Sequence, residues 1–95
     1  LEVPGVTPIQ IHGYGRQLIG QDKPEEALKV FQMNAERFPD TWPVHVGLAR
    51  GYSALGDYAK ALEHAEMALE NAPAEFNRNN VQNLIDTLEE GKDVN

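Results

Sequence analysis

Cysteine is absent, and with it any disulfide framework, thiolate nucleophile or cysteine zinc site. That absence suits any compartment. Basic residues are scarce: 8 Lys+Arg stand against 15 Asp+Glu, a formal net charge of −7. The balance opposes binding to nucleic acid or anionic lipid, both of which need a basic footprint. Long apolar runs are missing, so no segment can span a bilayer as a helix. No basic, apolar, small-residue leader stands at the N-terminus. The chain opens Leu1-Glu2 without methionine and is expected to be a piece of a longer protein or a processed product. At 95 residues, 41% hydrophobic and 24% charged, it is expected to form one domain at most, neither disordered nor membranous. The excess acids read as a solvated surface.

What the chain does have is a near-repeat at 34 residues. Ala27-Leu28 returns as Ala61-Leu62, Pro39 as Pro73, Gly15 as Ala49 and Arg16 as Arg50. Self-similarity at that period is a sign of stacked helical hairpins. Repeat arrays of this kind work by presenting a surface, so the feature to find is a groove rather than a catalytic pocket.

Punctuation along the chain places five helices. Residues 1–6 contain Pro4-Gly5 and no periodicity, and read as an extended linker. Thr7 caps a first helix with Pro8 at its first position, running to about Gly20. Asp22 is expected to cap the second, with Pro24 in its first turn and Glu25-Glu26 at its positive end. Its apolar side is Ala27, Leu28, Phe31, Ala35 and Phe38, and Pro39 stops it. Asp40 or Thr41 caps the third helix, which ends at Gly56. Asp57 caps the fourth, with Tyr58, Ala61, Leu62, Ala65 and Leu69 inward and Pro73 closing it. A fifth helix is expected from about Asn77 to Glu90, stopped by Gly91, with Lys92 to Asn95 frayed.

Three helices carry one stripe at i, i+3, i+4, i+7: Ile11, Tyr14, Gly15, Leu18; then His45, Leu48, Ala49, Tyr52; then Val81, Leu84, Ile85, Leu88. In the first two stripes the third member is small, which lets the partner helix approach closely where Ala27 or Ala61 supplies the other small surface. Replacing Gly15 or Ala49 by Leu should therefore overpack the crossing by about 1–3 kcal/mol, read as a lower midpoint in urea denaturation. Ile85 is bulky and no hairpin partner follows it, so the fifth helix reads as a cap over the second hairpin.

These residues resemble the tetratricopeptide repeat. The family pattern of large, Leu, Gly/Ala, Tyr, then Gly-Asp-Tyr, Ala-x3-Phe/Ala and a closing Pro is matched by His45, Leu48, Ala49, Tyr52, Gly56-Asp57-Tyr58, Ala61, Ala65, Ala68 and Pro73. The first copy matches through Ile11, Gly15, Asp22, Ala27, Phe31 and Pro39 but departs at Tyr14, Leu18 and Asn34. The resemblance implies an all-α fold of antiparallel hairpins stacked as a short right-handed superhelix. Its domain covers 7–91, with repeats 8–41 and 42–75 and a capping helix 77–90. The capping stripe falls two residues late, which implies a longer turn around Ala74–Phe76. Two-repeat tails of this kind also resemble those appended to larger bacterial proteins, including serine-hydrolase-like and secreted domains.

The family holds extended or helical peptides in a concave groove lined by the first helix of each hairpin. One step round from the stripes, the lining residues here are His12, Arg16 and Ile19; Val46, Arg50 and Ser53; and Gln82, Asp86 and Glu89. Arg16 and Arg50 share a repeat position, so they are expected as neighbours on one wall. They could grip a peptide carboxylate bidentately, or Arg50 could simply pair with Asp86. The best-known carboxylate clamps of the family use lysine and asparagine at several groove positions. Here His12, Val46 and Gly47 stand in that region, which does not support a chaperone-tail clamp.

Catalytic and metal signals are weak. His12, His45 and His64 lack i, i+4 spacing and no HExxH occurs. His45 falls on the packing stripe. Glu63, Glu66 and Glu70 read as a solvated face. Ser53 has no evident triad partners, and Gly13-Tyr14-Gly15 lacks the strand that precedes a phosphate loop. Trp42 reads as packing at the hairpin junction or as a partner hot spot. The expected function is a protein-interaction module without catalysis or cofactor. Its partner is a protein or peptide, with a second copy of the chain or an N-terminal domain as further candidates. The alternatives are a structural accessory, which exposed Ile9 and Ile19 would favour, and a regulatory tail of an upstream enzyme.

Overall fold

A computed structural model describes residues 7–39 and 41–95, apart from the side chain of Phe76. The linker assigned to residues 1–6 and the capping role offered to Asp40 lie outside these. The described residues are all-α: α1 (Pro8–Gly20), α2 (Pro24–Arg37), α3 (Trp42–Ala54), α4 (Tyr58–Asn71) and α5 (Glu75–Glu89). α1 packs on α2 and α3, α2 on α3, α3 on α4, and α4 on α5. α1 and α3 begin 34 residues apart, at Pro8 and Trp42.

The helix starts follow local chemistry. Thr7 Oγ1 accepts from the Gln10 N–H at 3.2 Å, and Gln10 Oε1 accepts from the Thr7 N–H at 2.9 Å. This reciprocal capping box is worth about 1 kcal/mol. Asp57 caps α4 by accepting from the Lys60 N–H at 3.2 Å. Thr41 occupies the N-cap of α3 but turns its hydroxyl back, donating to Phe38 O at 3.2 Å, and so does not cap with its side chain.

Asp22 is not the cap of α2. It sits at φ +63°, and Lys23 takes the N-cap without a side-chain bond. The reason lies in how α1 closes. The Lys23 N–H donates to Leu18 O at 2.9 Å and the Asp22 N–H to Ile19 O at 3.0 Å, the paired bonds of a closure with a left-handed residue. α3 closes identically at Gly56 (φ +83°), with Asp57 donating to Tyr52 O and Gly56 to Ser53 O, both at 2.9 Å. α5 does so at Gly91 (φ +74°), with Lys92 donating to Thr87 O and Gly91 to Leu88 O. The second copy spells this corner Gly-Asp and the first spells it Asp-Lys, so aspartate is pressed into the glycine position.

α5 begins at Glu75, not near Asn77, and the turn before it is confined to residues 72–74. Glu75 supplies the acid that favours a helix start.

Two apolar clusters meet at α3. One joins Ile11, Leu18, Ala27, Val30, Phe31, Val44 and Leu48; the other joins Val46, Ala49, Ala61, Ala65, Ala68, Val81, Ile85 and Leu88. Tyr52 packs against both. Burying each of Val81, Ile85 and Leu88 contributes about 1.5–3 kcal/mol, which explains how α5 covers the second hairpin. The stripes hold in α3 and α5, but Tyr14 is 45% exposed. α3 has neighbours on both sides, whereas among the described helices α1 packs chiefly on α2 and α3.

The small residue at position 15 answers to a different partner than Ala27. A Cβ there would lie 2.3 Å from the Phe31 ring. Gly47 and Gly51 close on the same ring, at 2.6 and 3.0 Å. Asn34, fully buried, donates from Nδ2 to Pro8 O at 3.0 Å and ties α2 to the start of α1.

Candidate functional site

α1, α3 and α5 together line a cavity of about 390 Å³, bounded by His12, Arg16, Trp42, Val46, Arg50, Asn80, Val81, Asn83 and Leu84. Four expected groove residues, His12, Arg16, Val46 and Arg50, therefore converge. Ile19 does not line the cavity; it packs against the first apolar cluster. Gln82 and Asp86 also lie outside the lining and are exposed, with Gln82 Nε2 donating to Asp86 Oδ1 at 3.0 Å. α5 instead offers Val81 and Leu84 from its stripe and Asn80 and Asn83 from the flank opposite Gln82 and Asp86.

The wall is electropositive within an acidic chain. Arg16 lowers the pKa of both His12 and Arg50, so the three side chains feel one another. Burial is the largest cause at His12; with Arg50 and then Arg16 adding to it, the imidazole pKa falls to about 4 against a hydrogen bond with the Pro43 backbone. His12 is thus neutral at pH 7, and its ring lies 5.6 Å from that of Phe31. Burial, then Arg16, lowers the Arg50 pKa, while Asp93 acts in the opposite direction. The guanidinium nonetheless stays charged at neutral pH. His12 Nδ1 and Arg50 Nε are buried without a hydrogen-bond partner. No carboxylate of the described residues forms an ion pair with Arg16 or Arg50. The expected alternative of Arg50 pairing with Asp86 is not formed.

Arg50 and Ser53 are instead met by the C-terminal segment, which is docked and not frayed. Ser53 Oγ donates to Asp93 Oδ1 at 2.6 Å and accepts from the Val94 N–H at 2.9 Å. Asn95 Nδ2 donates to Arg50 O at 2.9 Å. Arg50 Nη1 reaches Val94 O at 3.5 Å and Asn95 Oδ1 at 3.4 Å, near the limit for a hydrogen bond. Val94 packs against the second apolar cluster. Burial alone would raise the Asp93 pKa, but hydrogen bonds from Ser53, Asn95 and Val94 outweigh it and hold the carboxyl below its usual range. Sequence reasoning missed these three residues because a short polar segment after a helix-stopping glycine carries no periodicity.

Away from the cavity, His64 stacks between His45 and Tyr52, with ring centroids 5.9 and 5.5 Å apart, and Lys60 lies 5.5 Å from the Tyr52 ring centre. Trp42 packs against the second cluster and also lines the cavity. Among the described residues no group of three His, Asp or Glu could hold a metal ion, and no helix is long and apolar enough to cross a membrane.

No family model, curated protein or solved structure matches this chain.

Proposed function

We propose that this chain is a protein-interaction module of the tetratricopeptide type, holding an acidic peptide or segment of a partner in the groove between α1, α3 and α5. The observation that carries the reading is the convergence of Arg16 and Arg50 on one cavity with no carboxylate of the described residues ion-paired to either. The 34-residue offset of α1 and α3 and the three matching helix closures support the repeat assignment. A peptide carboxylate would supply the missing negative partner, each charge-assisted bond contributing about 1.5–3 kcal/mol. Trp42, Val46 and Leu84 supply apolar wall beside the cations, the usual mixture of a recognition pocket. The reading assigns the chain no catalytic role.

A second reading, in which the chain is a structural accessory, draws on Ile9, 66% exposed on α1. Ile19 does not share that exposure.

The test is capture from the source extract with the wild type and with Arg16→Ala/Arg50→Ala, both checked for helix content by circular dichroism. The captured protein is then purified and rebound. The expected result is a partner held by the wild type and bound at least tenfold more weakly by the double variant, since each tenfold is about 1.4 kcal/mol. Equal binding to both chains would move the working surface away from the groove.

A further inference from the structure

We infer that the Arg50–Ser53 segment of α3 is a recognition site for an extended Asp-apolar-Asn peptide, and that residues 93–95 occupy it as a ligand in cis. This deepens the groove reading above by naming the peptide chemistry, and it rests on that reading through Arg50, which both share.

The contacts are those of a bound peptide. Each of the three tail residues is read by a different group. The Asp93 carboxylate accepts from the Ser53 hydroxyl, and the following N–H, that of Val94, returns a bond to the same oxygen. One hydroxyl thus reads an acidic side chain and the backbone beside it. Val94 places the only apolar side chain of the segment against the apolar cluster. The Asn95 amide donates to Arg50 O and presents its oxygen to Arg50 Nη1. Asp93 Oδ1 also accepts from the Asn95 N–H at 3.1 Å and from Asn95 Nδ2 at 2.9 Å, which folds the tripeptide into a preformed turn. An alanine at residue 93 would remove the acceptor of the buried Ser53 hydroxyl, 1% exposed, and one at residue 95 would remove the side-chain bonds to Arg50.

The segment is also built to leave. Asp93 and Asn95 are exposed, and Val94 is only partly buried. It hangs on the left-handed Gly91, and the neighbouring Lys92–Glu90 pair is 68% and 62% exposed at its side chains. Release uncovers little core, which places docking at the low-stability end of the fold. Arg50 is the least satisfied member, with two long contacts and a bare Nε. An incoming peptide of the same pattern therefore competes on equal terms, except for the tether. A short tether gives an effective concentration in the millimolar range. A free peptide with a Kd of about 0.1 mM would then meet a site roughly nine-tenths closed.

The experiment titrates the capped tetrapeptide acetyl-Lys-Asp-Val-Asn-amide into the isotope-labelled 95-residue chain, read by backbone amide shifts at Arg50 and Ser53. Asp93→Ala/Asn95→Ala releases the tail from the surface without touching the core, and Asp93→Asn is a milder companion. The released chain should bind the peptide about tenfold more tightly than the wild type, with Asp93→Asn in between. Adding Ser53→Ala to the released chain should abolish the shifts, and the peptide with Asp replaced by Ala should not bind. No shift in the released chain at millimolar peptide, or equal affinity for released and wild-type chains, overturns the inference. Arg16 contacts neither tail nor peptide in this arrangement, so Arg16→Ala should leave the titration unchanged. If the partner depends on Arg16 and Arg50 while the tetrapeptide fails, the groove reading stands and this one falls. The opposite pattern removes the groove reading and leaves Arg50–Ser53 as a separate site.

Discussion

Phe31→Ala should lower stability by about 3–5 kcal/mol, the upper range for a truncated core side chain. A 95-residue domain has about 5–15 kcal/mol in total, so the variant should sit near the edge of folding. The ring is fully buried, and the glycine backbones of Gly15 in α1 and Gly47 and Gly51 in α3 close on it so tightly that none has room for a Cβ. A site walled by side chains can collapse by rotamer changes; a site walled by helix backbones cannot, and the void stays open. The same geometry makes the glycines sensitive. Gly15→Ala would drive a methyl into the ring, yet in a Phe31→Leu background that cost should largely vanish. Urea denaturation of the two single variants and the double variant measures this coupling, with an unchanged m-value as the sign that stability alone has moved. Additive effects would contradict the clamp.

Acidification should also destabilise the fold, and His12 sets where. In the unfolded chain its imidazole takes a proton near its ordinary value of 6.5; in the folded chain burial and the nearby Arg50 and Arg16 lower that to about 4. Between those values the unfolded state binds a proton that the folded state refuses. Stability is therefore complete above pH 6.5 and falls as the pH drops through the window, by up to about 3 kcal/mol for this one group. His64 is lowered too, by burial first and then by His45, so it acts in the same direction. The measurement is urea denaturation at pH 7 and pH 4.5 for the wild type and His12→Asn. The variant should lose most of the pH slope due to residue 12 while keeping that of His64. An unchanged slope would mean that His12 is hydrated in the folded state. Asp93 contributes in a separate, lower window: its depressed pKa means that its docking contribution is lost only as the pH falls through and below the ordinary carboxylate range.

Most of the architecture was legible because helix signals are local. Thr7, Pro8, Pro24, Asp57 and Gly91 act within one turn of themselves, and the i, i+3, i+4, i+7 stripes follow directly from helix pitch. Asp22 failed as a cap for a local reason, the closure of α1; the failures that bear on packing and the site depended on something distant in the chain. Tyr14 fits its stripe but faces solvent because no helix covers that side of α1. Gly15 is small for Phe31, sixteen positions on, and not for its hairpin neighbour Ala27. Gln82 and Asp86 were assigned by extending the period of two hairpins to a helix that meets the cavity with the opposite flank. Four of the nine lining residues, His12, Arg16, Val46 and Arg50, could be read from the repeat register. The docked tail could not, since its partners are about 40 residues back.

Asp22, Gly56 and Gly91 bend the chain through one and the same corner. Twice the corner is followed by a segment with apolar side chains at helical spacing, and the chain returns as α2 or α4. The third time it is followed by Lys92-Asp93-Val94-Asn95, with one apolar residue and two short polar ones that prefer turns to helix. The backbone thus dictates only the direction of departure; side-chain composition chooses the destination. From an identical exit, two segments run on as helices while residues 93–95 lie back against α3.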